Sequence, residues 1–138
     1  MNKRLLTCII LSGVLTLLGC SKAKYDDFIE VNTKYTEAME EYSNRLESAS
    51  DAGSVAEAIE TFAEKMDVLA PEMKELSGKY VEWQDKSKMP EELRPLSEKA
   101  EQVAKRLPQT FMKSMQYMKD PQVAAAMEKL QSAMMKMQ

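Results

Sequence analysis

Methionine side chains are the residues of this chain whose type and spacing come nearest to a site for chemistry. Seven of the twelve methionines lie between Met112 and Met137, and Met112, Met115 and Met118 recur at intervals of three residues. On a helix these three side chains project over about 120°, and thioether sulfur is a soft ligand that suits Cu(I). Methionine is also an ordinary filler of cores and adaptable interfaces. We favour packing in a core or interface and keep a Cu(I) or Ag(I) carrier as the alternative.

Acidic clusters and aromatic residues offer no stronger site. The glutamate clusters are Glu37, Glu40 and Glu41, followed by Glu57, Glu60 and Glu64. Di-iron helical bundles need Glu-x-x-His pairs, and the chain has no histidine, so we interpret the clusters as solvated helix faces. Tyr80, Trp83 and Tyr117 could line a pocket for an apolar or sugar ligand, or could close the ends of a core.

Catalytic motifs are missing from the sequence. Histidine, the commonest acid–base group, is absent, and there is no nucleotide-binding glycine loop, nucleophile elbow or zinc motif. The only cysteines are Cys8 and Cys20. The sequence therefore predicts a non-enzymatic protein without a cofactor or a structural metal.

The first twenty residues are typical of an export signal. Lys3 and Arg4 precede an uncharged run of 14 residues, 5–18, which is too short to cross the ~30 Å hydrocarbon core. An ordinary secretory signal has the same basic start and short apolar run. The end of the run, Leu17-Leu18-Gly19-Cys20, resembles the lipobox of bacterial lipoproteins.

The lipobox resemblance implies a lipid anchor. It implies that residues 1–19 are removed and that Cys20 is acylated through its sulfur and becomes the new N-terminus. Because Ser21 follows the cysteine, it also implies transfer to the outer membrane, with the protein facing the periplasm. We therefore expect a signal peptide at 1–19, a lipidated tether at 20–24 and a helical domain at 25–138.

Charge is unevenly distributed along the chain. All 22 acidic residues and all but two of the 19 basic ones follow the signal, so the mature chain has a net charge of −5, which argues against general nucleic-acid binding. Residues 20–98 carry −9 and residues 99–138 carry +4. We favour pairing of the basic late helices with the acidic early ones. A basic surface that faces a partner or anionic lipid is the alternative.

Apolar residues at helical spacing predict four helices. Helix 1 is expected over Tyr25–Ala49. Helix 2 is expected from a capping box, Ser54–Glu57, to Lys86, with a kink at Pro71 because its stripe keeps phase across that proline. We interpret the fold as an all-α antiparallel bundle of three long helices plus a shorter C-terminal fourth helix.

The later helices have less certain ends. Helix 3 is expected to begin near Pro90, with Pro95 able to shift its start by a turn, and Pro108 should kink or split it. Its predicted core stripe is Leu93, Leu96, Ala100, Val103, Leu107, Phe111, Met115 and Met118. Helix 4 is expected from Asp120-Pro121 to Met137, with the aspartate as N-cap.

The C-terminal third is the predicted partner-binding region. The candidate residues are Phe111, Met112, Met115, Met118, Met134 and Met135. They cannot all fit one narrow stripe, so some apolar surface should remain, rimmed by lysines 113, 119, 129 and 136. The alternative is that helix 4 folds back and buries these residues against helices 1 and 2.

Overall fold

The computed structural model describes residues 24–137, and this part of the chain is built from four α-helices. Their bounds are Asp26–Ser48 for α1, Ala52–Lys79 for α2, Arg94–Met115 for α3 and Pro121–Lys136 for α4. Three 3-10 turns, Val81–Gln84, Lys86–Lys88 and Glu91–Leu93, join α2 to α3. The described residues contain no strand, so the prediction of an all-α fold with four helices is confirmed. Cys20 and the predicted cleavage site lie outside the described residues.

The start of α2 is fixed by Asp51, three residues before the predicted cap. The Asp51 carboxylate accepts a hydrogen bond from the Ser54 backbone N–H at 2.7 Å, and the Ser54 hydroxyl accepts one from the Asp51 N–H at 3.2 Å. This reciprocal pair is a capping box. The predicted box at Ser54–Glu57 was therefore wrong, because the helix already contains Ser54 in its first turn.

α2 also ends earlier than predicted. It stops at Lys79, and the chain enters a 3-10 turn that carries Trp83. The rings of Tyr80 and Trp83 stack with centroids 4.1 Å apart, and Trp83 also meets Phe28 of α1 edge to face at 5.1 Å. From this turn the Trp83 ring is buried against both neighbours, and its edge-to-face contact with Phe28 is a favoured aromatic geometry.

The internal prolines interrupt neither long helix. α2 is one helix through Pro71, and α3 continues through Pro108 instead of splitting there. At its N-terminal end, α3 begins at Arg94, one turn after Pro90, because Glu91–Leu93 first forms a 3-10 turn. This is the shift by one turn that Pro95 was expected to allow. Pro95 lies at the first positions of α3, where its missing N–H is tolerated.

Ion pairs show the direction in which each helix runs. Lys65 with Glu41 and Lys79 with Asp27 join α2 to α1 in antiparallel order. α3 instead runs parallel to α1, and α4 runs parallel to α2. The pairs that show this are Lys99–Glu40 and Arg106–Glu47 for α3 with α1, and Lys129–Glu60 and Lys136–Asp67 for α4 with α2. Successive helices therefore alternate in direction, while α3 and α4 each pack beside the helix two places earlier in the chain.

The core draws on all four helices. α1 and α2 supply most of it, and α3 and α4 add small residues that permit close approach. The buried apolar side chains of α3 and α4 in this core are Val103, Val123, Ala126 and Ala133. Within residues 24–137, no helix is long and apolar enough to cross a membrane.

Candidate partner-binding surface

The inward face of α3 carries small polar residues in its second half. Thr110 and Ser114 are buried, and their hydroxyls donate to the backbone carbonyls of Leu107 at 3.0 Å and Phe111 at 2.7 Å. Val103, Leu107, Thr110 and Ser114 follow one another at spacings of four, three and four, which keeps them on one side of the helix. The seam of α3 is therefore closed by short, hydrogen-bonded side chains.

Phe111 and Met115 consequently lie outside the core, and their prediction as core residues was wrong. Phe111 is 38% exposed, Met115 is 49% exposed, and neighbouring Met112 is 67% exposed. We call these three residues the α3 apolar patch. Met118, the next candidate, is only partly exposed and packs against the core. Three large apolar side chains within one turn of α3 are thus left on the surface, beside a buried seam of small polar ones.

Met134 and Met135 form a separate exposed pair near the end of α4, with exposed fractions of 41% and 61%. The α3 apolar patch lies near the α1–α2 turn, since Lys113 donates to the Glu47 carbonyl at 2.7 Å. α4 begins near that level and carries the pair about 20 Å away along its axis. The predicted region is thus two groups of exposed residues, and the structure does not bring them together.

Most of the predicted lysine rim is engaged within the domain. Lys129 and Lys136 pair with Glu60 and Asp67 of α2 at 2.5 Å, and the Glu60 carboxylate raises the pKa of Lys129. Lys113 donates to the Glu47 carbonyl. These three lysines therefore bind groups of the domain itself, and the favoured pairing of late basic helices with early acidic ones is confirmed. Lys119 has no acidic partner within 4.0 Å in residues 24–137.

Tyr80, Trp83 and Tyr117 do not line a common pocket, and they instead take the alternative position at the ends of the core. Tyr80 and Trp83 stack at the end of the domain where α1 begins, and the Tyr80 hydroxyl donates to Asp27 at 2.9 Å. Lys79 lowers the pKa of Asp27 through a hydrogen bond, and the Tyr80 hydroxyl adds to this effect. Tyr117 lies at the opposite end, where its hydroxyl donates to the Ser50 carbonyl at 3.3 Å. The aromatic residues therefore close the ends of the core.

The glutamate clusters lie on the surface and are partly paired. Glu41 binds both Lys65 and Arg45, and the hydrogen bond from Lys65 is the main reason that its pKa is lowered. In the part of the chain that the structure describes, no group of three or more His, Cys, Asp or Glu side chains is arranged to hold a metal ion.

Two buried polar atoms were not anticipated from the sequence. The Tyr42 hydroxyl and the Ser43 hydroxyl are both buried without a hydrogen-bond partner. Both sit on α1, and burial raises the pKa of Tyr42 to about 12. Tyr42 follows Met39 and precedes Leu46 at helical spacing, which predicts a buried ring, but only the three-dimensional packing could show that its hydroxyl has no partner.

Comparison with known proteins gives no match to the chain among protein-family models, curated proteins or solved structures.

Proposed function

We propose that this protein is a lipid-anchored bacterial envelope lipoprotein that holds or escorts a protein partner without catalysing a reaction. The lipobox resemblance at Cys20 supports the anchor. The exposure of the α3 apolar patch is the observation that carries the partner-binding role. The absence of histidine from the sequence supports a non-enzymatic role.

The anchor is tested at Cys20. Four residues lie between Cys20 and Tyr25, so the five Cα–Cα steps of an extended tether reach at most about 17 Å, and the helical domain would stay close to the membrane surface. We expect Cys20→Ala to abolish acylation and leave the uncleaved precursor, as measured by fatty-acid labelling and the mass of the chain. Normal cleavage and membrane attachment of this variant would contradict the anchor. Fractionation of the envelope tests the proposed outer-membrane location.

The partner-binding role is tested by crosslinking in intact cells, followed by identification of the crosslinked protein. The proposed binding residues are Phe111, Met112, Met115, Met118, Met134 and Met135. Because the first three and the last two lie in separate groups, crosslinkers placed in each group distinguish which of them meets the partner. Failure to capture any protein from either group would contradict this role.

A carrier of Cu(I), Ag(I) or an apolar small ligand is the second candidate. Met112 and Met115 are both exposed one helical turn apart, and two thioethers at that spacing suit a soft monovalent ion. Metal analysis after incubation with Cu(I) tests it. Stoichiometric Cu(I) that is lost when Met112, Met115 and Met118 are changed to leucine would favour the carrier over the escort.

We also propose that the four helices form one antiparallel bundle and that α2 is kinked at Pro71. Continuity of α2 through Pro71 and the alternating helix directions support it. The missing proline N–H weakens the helix locally. Residual dipolar couplings measured on both sides of Pro71 test the kink, and collinear halves of α2 would contradict it.

A further inference from the structure

The outer face of α3 carries a second regular stripe, on the side away from its core seam. Lys105, Pro108, Met112 and Met115 follow one another at spacings of three, four and three, and all are exposed. Lys119 comes four residues later, in the turn that continues α3 through hydrogen bonds between residues three apart. Spacings that alternate between three and four are those with which one helix meets another. We call these five residues the outer stripe.

The outer stripe is cationic at both ends and apolar in the middle. In residues 24–137, neither Lys105 nor Lys119 has an acidic partner within 4.0 Å, whereas Arg106 pairs with Glu47 of α1. There is no aspartate or glutamate from residue 102 to residue 119. Glu101, one turn before Lys105, forms its ion pair with Lys86, although Lys105 also helps to lower its pKa. Neither lysine of the stripe is therefore held in an ion pair within residues 24–137, although acidic residues are abundant on α1 and α2.

We propose that an amphipathic helix of acidic character, belonging to the protein partner, docks along the outer stripe. Its apolar residues would lie on Met112 and Met115, and its carboxylates would lie near Lys105 and Lys119, about 21 Å apart along the helix. Exposed methionines suit such a groove because they adapt to the shape of an apolar partner. This inference rests on the proposed partner-binding function and specifies the chemistry of the partner.

A second copy of this chain does not fit the stripe. Antiparallel pairing about a two-fold axis would place Lys105 against the other copy's Lys119, and parallel pairing would place each lysine against itself. Like charges directly opposed across a helical interface are unfavourable. An acidic partner removes this repulsion and gains attraction at both ends.

An anionic bilayer fits the stripe less well than an acidic helix. Membrane-surface helices carry their lysines on the polar face, beside a wide apolar face. Here Lys105 and Lys119 lie in line with the methionines, while Gln109 and Gln116 flank them and are exposed. Insertion of Met112 and Met115 among lipid chains would draw both lysines toward the apolar layer. The outer stripe is narrow, and its width matches the face that a single docked helix would cover.

The test uses the full-length chain in cells, with a photoreactive amino acid in place of Met112. Val81 is the matched control position, since it is apolar, 62% exposed and lies in the 3-10 turn after α2, away from both groups of exposed methionines. We expect a protein adduct at position 112 and not at position 81, mapped by mass spectrometry to an acidic amphipathic segment. The double variant Lys105→Glu with Lys119→Glu should lower the adduct yield about tenfold, because it replaces attraction by repulsion at both ends.

A second double variant controls for net charge. Lys74→Glu with Lys88→Glu makes the same change in charge at exposed lysines away from the stripe, and it should leave the yield unchanged. Circular dichroism of both variants checks that they remain helical. An adduct to lipid or to a second copy, a partner segment without acidic residues, or a yield insensitive to charge reversal would overturn the proposal.

The same crosslinking distinguishes a failure of docking on the outer stripe from a failure of the escort function. If position 112 captures nothing while other surface positions capture a protein, docking on the outer stripe is wrong and the escort function stands. If no surface position captures a protein, the escort function is wrong as well.

Discussion

Tyr42 of α1 lies flat against Phe62 of α2, with ring centroids 4.5 Å apart and ring planes inclined by 11°. Both side chains are buried, at 5% and 7% exposed. The stack joins the two antiparallel helices near the middle of the core, where aromatic rings contribute both buried area and a favourable geometry. Loss of either ring would therefore weaken the α1–α2 pair itself.

Phe62→Ala is expected to lower the free energy of unfolding by about 3–5 kcal/mol, because it removes a buried ring and leaves a cavity beside Tyr42. Chemical denaturation measures this loss. Val68→Ala, at an exposed position of the same helix, is the control and should cost less than about 0.5 kcal/mol. A loss below about 1 kcal/mol for Phe62→Ala would mean that this face of α2 does not lie in a core.

Tyr42→Phe tests the unpartnered hydroxyl. The substitution keeps the ring and removes a buried polar atom without a hydrogen bond, so we expect stability to be unchanged or to rise by up to about 1 kcal/mol. A Tyr42→Phe variant that is less stable by more than about 1 kcal/mol at neutral pH would indicate that the hydroxyl does have a partner.

Tyr42→Phe should also change how the free energy of unfolding depends on pH at alkaline values. Burial raises the pKa of Tyr42 from 10.0 to about 12, so the folded protein retains this proton at pH values where the unfolded chain loses it. Below pH 10, Tyr42 is protonated in both the folded and the unfolded chain, so its ionisation does not affect stability. Between about pH 10 and 12 only the unfolded chain ionises, and the free energy of unfolding falls by up to roughly 1.4 kcal/mol per pH unit. Denaturation at pH 8 and pH 11 should show a steeper decline for the natural chain than for Tyr42→Phe. Equal declines would contradict this assignment.

The parallel placement of α4 on α2 predicts specific zero-length crosslinks. Lys129 lies 2.5 Å from Glu60 and Lys136 lies 2.5 Å from Asp67. Carbodiimide treatment should therefore yield amide bonds between these two pairs, identified by peptide mapping, and Lys129→Gln should remove only the first. If Lys136 instead reacts with an acid at the start of α2, such as Glu57, the direction of α4 is reversed.

Methionine oxidation should follow the burial of each side chain. Met112 and Met135 are well exposed, whereas Met39 and Met66 are buried. Limited treatment with hydrogen peroxide should oxidise the first two to the sulfoxide while the other two stay reduced. Peptide mass spectrometry quantifies each site, and denatured protein, in which all sites should react alike, is the control. Early oxidation of Met66 would contradict the packing of α2.

Local patterns in the sequence predicted several helix ends closely. α1 begins and ends within one residue of its predicted bounds, because its apolar stripe stops at a clear break before Gly53. The N-cap of α4 is also where it was expected, with the Asp120 carboxylate accepting from the Gln122 N–H at 2.9 Å. These features depend on neighbouring residues only, so the sequence contains the information directly.

The face that α3 buries was harder to predict. If the buried stripe is continued from Leu107 through the largest apolar residues, it passes through Phe111 and Met115. If it is continued at alternating spacings of three and four, it passes through Thr110 and Ser114, which the structure buries. The spacing was the better guide, because a straight helix keeps its buried side whatever the size of the residues on it. Small hydroxyl side chains hydrogen-bonded within their own helix can occupy such positions at little cost.

The apolar stripes of the helices could not predict which helices pack beside each other. Each stripe shows that a helix has one buried side, but not which helix covers it. The pairing of α4 with α2 becomes visible in ion pairs such as Lys129–Glu60, which join residues 69 positions apart. Many other lysine and glutamate pairs are possible in a chain with 30% charged residues, so the sequence alone leaves the choice open.

The packing of α4 on α2 also determines when the domain can finish folding. Val123 and Ala126 are fully buried against the core, yet they belong to α4, the last of the four described helices to be synthesised. Without residues 121–138, a long apolar side of α2 is uncovered, and closing it requires contact between residues 69 apart. If the chain is exported as proposed, its helical domain therefore completes folding only after α4 has crossed the membrane.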